Sequence, residues 1–161
     1  MKNTFLILLF TIIYSQSFFS QTVNMDNYEI YLGDKLIGKS DFLKNAQNIP
    51  TDKSQKLELR PITDGIKTAY YLNGSIFSKG EIKNQRENGF WEFWHPNGQK
   101  AREGNFIDGK QNGTHKYWYD NGQLRGIGNW ENGIYEGTWE IYNASGSEKT
   151  IQNYKNGKLV E

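Results

Sequence analysis

Four aromatic residues recur at intervals of 24 residues, and they are the side chains of this sequence best suited to binding. They are Tyr70, Trp94, Trp118 and Tyr142. If each lies at the same place in successive β-hairpins, neighbouring rings are two strands apart, about 10 Å. Rings at that pitch suit stacking on successive sugars of a glycan, or seating the aromatic anchors of a protein partner. The alternative is that these rings only pack on their own neighbours along a sheet.

Glu92 and Glu103 form the one carboxylate pair whose spacing resembles that of a catalytic site. Directly opposed residues of a sheet have Cβ atoms about 4.5–5.5 Å apart, and retaining glycosidases hold their carboxyl groups about 5–5.5 Å apart. However, this pair would lie on an open sheet face, without a cleft that excludes water. We interpret it as a solvated pair whose repulsion Arg102 and Lys116 soften, and we predict no catalytic residue.

The two histidines give no metal site. His95 and His115 fall at different positions of the 24-residue unit, whereas a metal site requires three or four convergent ligands. The sequence has no cysteine, no glycine-rich phosphate loop and no nucleophile elbow. The sequence therefore predicts no enzyme, no metal and no cofactor.

The elements that position these residues are repeats. Copies of the unit begin at Gly65, Gly89, Gly113 and Gly137, without insertions, and a fixed period of this length indicates a repeat array. Each copy contains two turn signals. The first signal is Asn73-Gly74, Asn97-Gly98, Asn121-Gly122 and Ser145-Gly146; the second is Asp108-Gly109, Asn132-Gly133 and Asn156-Gly157, with Gln85 in the glycine position of the first copy. Such dipeptides favour type I′ hairpin turns.

The runs between the turns predict strands. They are rich in aromatic and branched residues, and a second aromatic column is Ile82, Phe106, Trp130 and Tyr154. A two-residue loop at Asn97-Gly98 would pair Trp91 with Gly104, Glu92 with Glu103 and Phe93 with Arg102. By the same rule, His115 faces Gly128 and Trp139 faces Gln152. An aromatic ring can lie over a bare glycine of a neighbouring strand, which explains the column of Gly80, Gly104 and Gly128.

This register places Trp94 and Phe106 on opposite faces, so aromatic residues occur on both sides of the sheet. A sandwich would instead show one apolar and one polar face. We therefore predict an all-β fold: a single-layer, twisted antiparallel meander of about four 24-residue hairpins, stabilised by contacts between neighbouring repeats.

The pattern G-x-W-x-x-Y/W-x-x-N-G-Q-x-x-x-x-G-x-W/F/Y-x-x-G resembles MORN repeats, and more narrowly the variant of bacterial antitoxin-like proteins of the YwqK family. The resemblance covers residues 65–161 (65–88, 89–112, 113–136 and 137–161). It implies a hairpin array that serves as an interaction scaffold, with relatives linked to protein assembly and others to phospholipid. It also implies an antitoxin role as one alternative, and it carries over no catalytic residue.

The two segments that precede the repeat array predict export of the protein and a cap on the first repeat. Residues 1–20 have a positive start, an apolar run and small or polar residues after it, as in a secretory signal peptide. Residues 21–64 are expected to cap the first repeat, with a hairpin around Gly33-Asp34, a short helix that has Ser40 as its N-cap and runs through Ala46, a loop over residues 50–55 and an edge strand before Pro61. The alternative is a loosely ordered leader.

The net charge of the chain limits the classes of partner that it can bind. Without Lys2, the 18 remaining Lys and Arg residues balance 18 acidic residues. Nucleic-acid binding requires a basic stripe, which a neutral chain of this pattern lacks. We predict another protein as the partner, with a glycan or a phospholipid headgroup as alternatives, in the cell envelope or outside the cell. The last strand is an open edge that invites self-association.

Overall fold

The computed structural model describes residues 25–45 and 57–160. The predicted signal peptide (1–20) and the predicted loop (50–55) lie outside these residues. The first part comprises a 3₁₀ turn Met25–Asn27, β1 Tyr28–Leu32, β2 Lys35–Ile37, α1 Lys39–Asn45 and β3 Leu57–Pro61. The repeats form β4 Gly65–Tyr70, β5 Ile76–Lys83, β6 Arg86–Trp94, β7 Lys100–Ile107, β8 Lys110–Trp118, β9 Leu124–Glu131, β10 Ile134–Tyr142, β11 Lys149–Lys155 and β12 Lys158–Leu159.

All twelve strands belong to one open sheet, in the order β12-β11-β10-β9-β8-β7-β6-β5-β4-β2-β1-β3. The predicted hairpin meander is confirmed. The sheet is nevertheless mixed, because β2 and β4 run parallel where Ile37 pairs with Tyr70. A parallel pair requires a crossover connection that returns the chain to the same end of the sheet, and here the chain passes through α1 and β3 between β2 and β4.

The predicted register is confirmed across the array. Trp91 pairs with Gly104 and Phe93 with Arg102. The fourth hairpin keeps the same pattern and pairs Trp139 with Gln152. The 24-residue period therefore places equivalent residues on equivalent strands of all four hairpins.

The second turn of each repeat has the predicted type I′ geometry. Asp108, Asn132 and Asn156 have φ values of 54, 52 and 51°, and the glycine that follows each of them also has a positive φ. The first copy forms the same turn with Gln85 at φ 63°, although a side chain there is strained. Asp64 supports this turn, because its carboxylate accepts hydrogen bonds from the backbone N–H groups of Asn84 and Gln85 at 2.9 and 3.0 Å.

The first turn of each repeat is not the predicted type I′ turn. At residues 95–99, only Gly98 has a positive φ, and its N–H donates to the carbonyl of His95 at 2.8 Å. This is a type I turn followed by a left-handed glycine, which adds one residue to the loop. A bulge at Ala101 offsets that residue, since Phe93 pairs with Arg102 but Trp94 with Lys100. The register is therefore that of a two-residue loop, although the turn is different.

The first part of the chain contains the predicted hairpin, helix and edge strand. β1 pairs with β2 on one side and with β3 on the other. The helix begins two residues earlier than expected, because the N–H of Phe42 donates to the carbonyl of Gly38 at 2.9 Å, which makes Gly38 the N-cap in place of Ser40. A small apolar core holds these elements together and comprises Ile30, Leu32, Ile37 and Phe42, with Leu57, Tyr70 and Leu72 packed against it.

Candidate functional site

One face of the sheet carries a continuous series of aromatic rings, which we call the aromatic face. Each ring contacts the next, with centroids between 4.3 and 6.4 Å apart. The series comprises Tyr71, Phe77, Trp91, Phe93, Phe106, His115, Tyr117, Trp130, Tyr135, Trp139 and Tyr154. Within the described residues, no second layer covers these rings over β8 to β11.

The inner rings of this face lie over glycines of the preceding repeat. A Cβ atom added to Gly80 would lie 2.1 Å from Trp91, and one added to Gly128 would lie 2.0 Å from Trp139. The predicted role of the glycine column is thus confirmed, but with a different partner. Trp91 pairs in register with Gly104, yet its ring covers Gly80 across the boundary between repeats. The contact therefore joins one repeat to the next.

His115 occupies the place of a tryptophan in this series. Its ring is fully buried over Gly104, and its Nε2–H donates to the carbonyl of Asn105 at 2.8 Å. Trp91 and Trp139 donate from Nε1 to the carbonyls of the equivalent residues, Glu81 and Asn129, at 3.1 Å. Burial lowers the pKa of His115, and its Nδ1 atom has no hydrogen-bond partner in the described chain. His115 is therefore a structural residue that is neutral at pH 7.

Two guanidinium groups lie among the rings of the aromatic face. Arg102 stacks on Phe93, with its guanidinium carbon 3.9 Å from the ring centroid, and Arg125 lies 5.5 Å from the centroid of Tyr117. No ion pair holds either arginine within the described part of the chain, and burial lowers the pKa of Arg102. The hydroxyl of Tyr117 accepts hydrogen bonds from Trp130 and Gln111. The middle of this face therefore combines buried and partly buried rings with two guanidinium groups that have no carboxylate partner among the described residues.

The opposite, charged face contains Glu92 and Glu103, which pair as predicted. Their counter-ion is Lys100, whose Nζ lies 2.6 Å from Glu92 and 2.9 Å from Glu103. Although burial alone would lower the pKa of Lys100, its bonds to the two carboxylates raise it. Lys116 lies 4.0 Å from Glu103, whereas the prediction for Arg102 was wrong. Arg102 pairs with Phe93, next to the Glu92–Glu103 pair, and alternation along a strand turns it to the other face.

The four residues predicted to bind a ligand lie at the strand ends beside the first turns. Tyr70 packs against the apolar core of the first part, and Lys100 lies 5.9 Å from the ring centroid of Trp94. Trp118 pairs with Leu124, and the hydroxyl of Tyr142 donates to Glu140 at 2.6 Å, a bond that raises the pKa of Tyr142. No ring contact joins any two of the four. The structure thus places three of them along the charged face and gives the first a structural contact.

A ladder of hydrogen bonds links the first turns of neighbouring repeats. The hydroxyls of Tyr71 and Tyr119 donate to the carbonyls of Trp94 and Tyr142 at 2.6 and 2.8 Å. His95 takes the same position in its repeat and bonds to the carbonyl of Trp118 at 2.9 Å. His95 therefore has a structural partner in a position that otherwise holds tyrosine.

Two further observations concern metals and membranes. Among residues 25–45 and 57–160, no group of three or more His, Cys, Asp or Glu side chains is arranged to hold a metal ion. Within the same residues, no helix has the length and hydrophobicity needed to span a membrane.

The comparison with known protein families agrees with the repeat geometry. Residues 63–84, 87–108 and 111–132 match the family model described as a MORN repeat variant. No curated protein matches the chain. Repeats of this type are non-catalytic modules that bind proteins or membranes. Residues 63–132 therefore match three tandem copies of this repeat variant, and β10 and β11 add a fourth hairpin in the same register.

Proposed function

We propose that this protein is an exported, non-enzymatic scaffold of the cell envelope that binds another protein through its aromatic face. One observation carries the proposal: a continuous series of rings lies on one face of a single-layer sheet, and no element of residues 25–45 or 57–160 forms a second layer over it at β8 to β11. An uncovered aromatic surface of this extent is typical of an interaction site.

The composition of the aromatic face supports a protein partner. Interfaces take most of their binding energy from Trp, Tyr and Arg residues. Tyr135 is 38% exposed, whereas Trp91 and Trp139 are 5% and 7% exposed. The buried tryptophans thus fix the sheet, while the outer rings and Arg125 remain available to a partner.

Export is proposed from the N-terminal sequence, where a charged start and an apolar run resemble a signal peptide. A partner in the envelope is consistent with a neutral exported chain. If that partner is a toxin that acts there, the protein is an antitoxin, as the resemblance to the YwqK family implies.

The test is a pull-down from the envelope fraction of the protein's own organism, with residues 21–161 as bait and mass spectrometry as the readout. The binding variant is Arg125→Glu with Tyr135→Ala, and the control is Trp118→Ala on the charged face. We expect one stoichiometric protein to be retained by the wild type and the control but lost from the binding variant. Circular dichroism of all three proteins verifies their fold.

The proposal fails if the wild type retains polysaccharide or lipid but no protein, or if the binding variant retains the same protein as the wild type. Binding that disappears in moderate salt also counts against it, since salt screens exposed charges and such a result favours an anionic lipid headgroup.

A glycan is the second candidate, and the charged face favours it. Trp94, Trp118 and Tyr142 make no ring contact with one another and recur at every second strand, about 10 Å apart. Replacing Trp118 with alanine should abolish glycan binding and leave the far-ultraviolet spectrum unchanged. The same variant retaining its glycan would exclude this face as the binding site.

A further inference from the structure

A cavity of about 180 Å³ lies between the β1–β2 hairpin and the first repeat, at the end of the aromatic face. Its walls are mainly apolar. Ile30 and Ile37 line it from the hairpin, and Phe77, Trp91 and Phe93 line it from β5 and β6. An apolar cavity of about 150 Å³ is large enough to bind benzene. The size and walls of this cavity therefore suit one aromatic ring.

The cavity lies beside a break in the ring series. In the last three repeats, Trp91, His115 and Trp139 lie over a glycine of the preceding repeat. The equivalent residue of the first repeat is Lys67, whose Nζ turns to Glu29 at 2.9 Å. No ring of the described residues thus takes that position in the first repeat, and a bound ring would extend the series.

The polar groups of the cavity wall indicate a ligand without net charge that can form a hydrogen bond. Ser78 is 5% exposed and lines the cavity, so its hydroxyl is one polar group of the wall. A ligand that hydrogen-bonds to this hydroxyl gains affinity over one that cannot. The charged residues of the wall balance in sign, because Lys39 and Lys67 line it together with Glu29 and Glu87. Lys67 and Glu29 form an ion pair at 2.9 Å. The wall therefore favours no ligand with a net charge.

We propose that this cavity binds a neutral, phenol-sized group: one aromatic ring with a hydroxyl that hydrogen-bonds to Ser78. The ring contacts Phe77, Trp91 and Phe93, and the hydroxyl lies toward β5. A free phenolic compound and the tyrosine side chain of a peptide share this chemistry.

Calorimetric titration of the purified full-length protein with p-cresol tests the proposal. We expect saturable binding of one equivalent. Toluene, which lacks the hydroxyl, should bind about three- to tenfold more weakly, and benzoate should not bind. N-acetyl-tyrosine amide distinguishes the two sources, because it binds only if the cavity also admits the side chain of a peptide.

Two variants probe the walls. Ser78→Ala should reduce p-cresol binding to the level of toluene and leave toluene binding unchanged, whereas Ala69→Leu should fill the cavity and abolish both. The matched control is Thr150→Ala, which removes the hydroxyl three repeats further along, at an exposed position. The proposal is overturned if p-cresol does not bind the wild type, or if it binds a folded Ser78→Ala protein as tightly as the wild type.

Discussion

At the scale of single residues, His115 shows how one side chain can replace another with the same hydrogen bond. Its Nε2–H takes the place of an indole N–H, and its ring covers Gly104 as Trp139 covers Gly128. Imidazole, however, can take up a proton, and burial without a partner for Nδ1 disfavours the charged form. The middle of the array is therefore sensitive to acid.

We predict that His115→Trp makes the protein less sensitive to acid. The folded-state pKa of His115 is lowered below its unfolded value of about 6.5. The unfolded chain thus binds more protons in that window, and stability is lost as the pH falls from about 6.5 through the folded-state pKa. Urea denaturation at pH 8 and pH 5 should show a smaller loss for the variant.

The variant should fold, because Trp139 already packs on Trp130, the residue equivalent to Phe106 beside His115. Acidic residues contribute equally to both proteins, so the difference between them reports on His115. Equal losses of stability in the two proteins would contradict the prediction.

At the scale of elements, the hairpin turns determine how the repeats meet. The second turns need two consecutive residues with positive φ, and Gln85 is the one residue with a side chain in a position that glycine fills in the other three. Asp64 bonds to both N–H groups of this turn, and those bonds lower the pKa of its carboxyl group. The first repeat thus has a strained turn and a carboxylate that supports it.

We predict that Gln85→Gly stabilises the protein by about 0.5–1 kcal/mol, because glycine adopts the left-handed conformation without a steric cost. The reciprocal variant is Gly133→Gln in the third repeat, where an added Cβ would meet only ordinary contacts at 3.7 and 3.8 Å. It should cost a similar amount. Denaturant midpoints measure both changes, and shifts of the same sign would refute the explanation.

We also predict that Gly128→Ala destabilises the protein by about 1–3 kcal/mol, since its Cβ would displace the ring of Trp139. Gln152→Ala in the same column is the control, because no ring lies over that position, and it should cost about 0.5 kcal/mol or less. The check is urea denaturation followed by tryptophan fluorescence. Equal effects of the two variants would show that the covered glycine has no special role.

Much of this architecture could be predicted from the 24-residue period and the turn dipeptides, because both are local. The pairing of Trp91 with Gly104 and of Phe93 with Arg102 followed directly. The geometry of the first turn could not be predicted in this way, because the added loop residue and the bulge at Ala101 offset each other and leave the strand register unchanged. The position of the Trp91 ring over Gly80 could not be predicted either, because it depends on packing between repeats.

The candidate site was harder to predict. The recurrence of Trp94 and Trp118 is apparent in the sequence. However, the sequence does not show which face of the sheet remains uncovered. The stacking of Arg102 on Phe93 follows from strand alternation once the register is known. The cavity beside Ser78 depends on how the hairpin before the repeats sits against them, which the period does not describe.

At the scale of the whole molecule, the sheet has a partly open edge at β11. Tyr154 and Lys155 pair with β12, whereas no strand of the described chain pairs with residues 149–152 on that side. Ile151 lies in this open stretch and is 54% exposed. An open edge with an exposed apolar residue promotes pairing with a second copy.

We predict that the protein self-associates at high concentration and that Ile151→Lys reduces this association, because a charge at an edge disfavours strand pairing. Sedimentation equilibrium over a range of concentrations measures it. Lys116→Gln, on the central strand β8, is a control that should associate like the wild type. A strict monomer at high concentration for the wild type would contradict the prediction.

The column of covered glycines also determines where a longer protein of this kind can be extended. After Gly80, Gly104 and Gly128 the next position holds Gln152, which has a side chain where the earlier repeats have a bare glycine. If a duplicated 24-residue unit were inserted before Gln152, its aromatic ring would lie over a bare glycine of the preceding repeat and would continue the series of rings. The same unit appended after β12 would meet Gln152 in place of a glycine, so its ring could not continue the series. The side chain of Gln152 therefore prevents extension of the array at this end by duplication of a repeat.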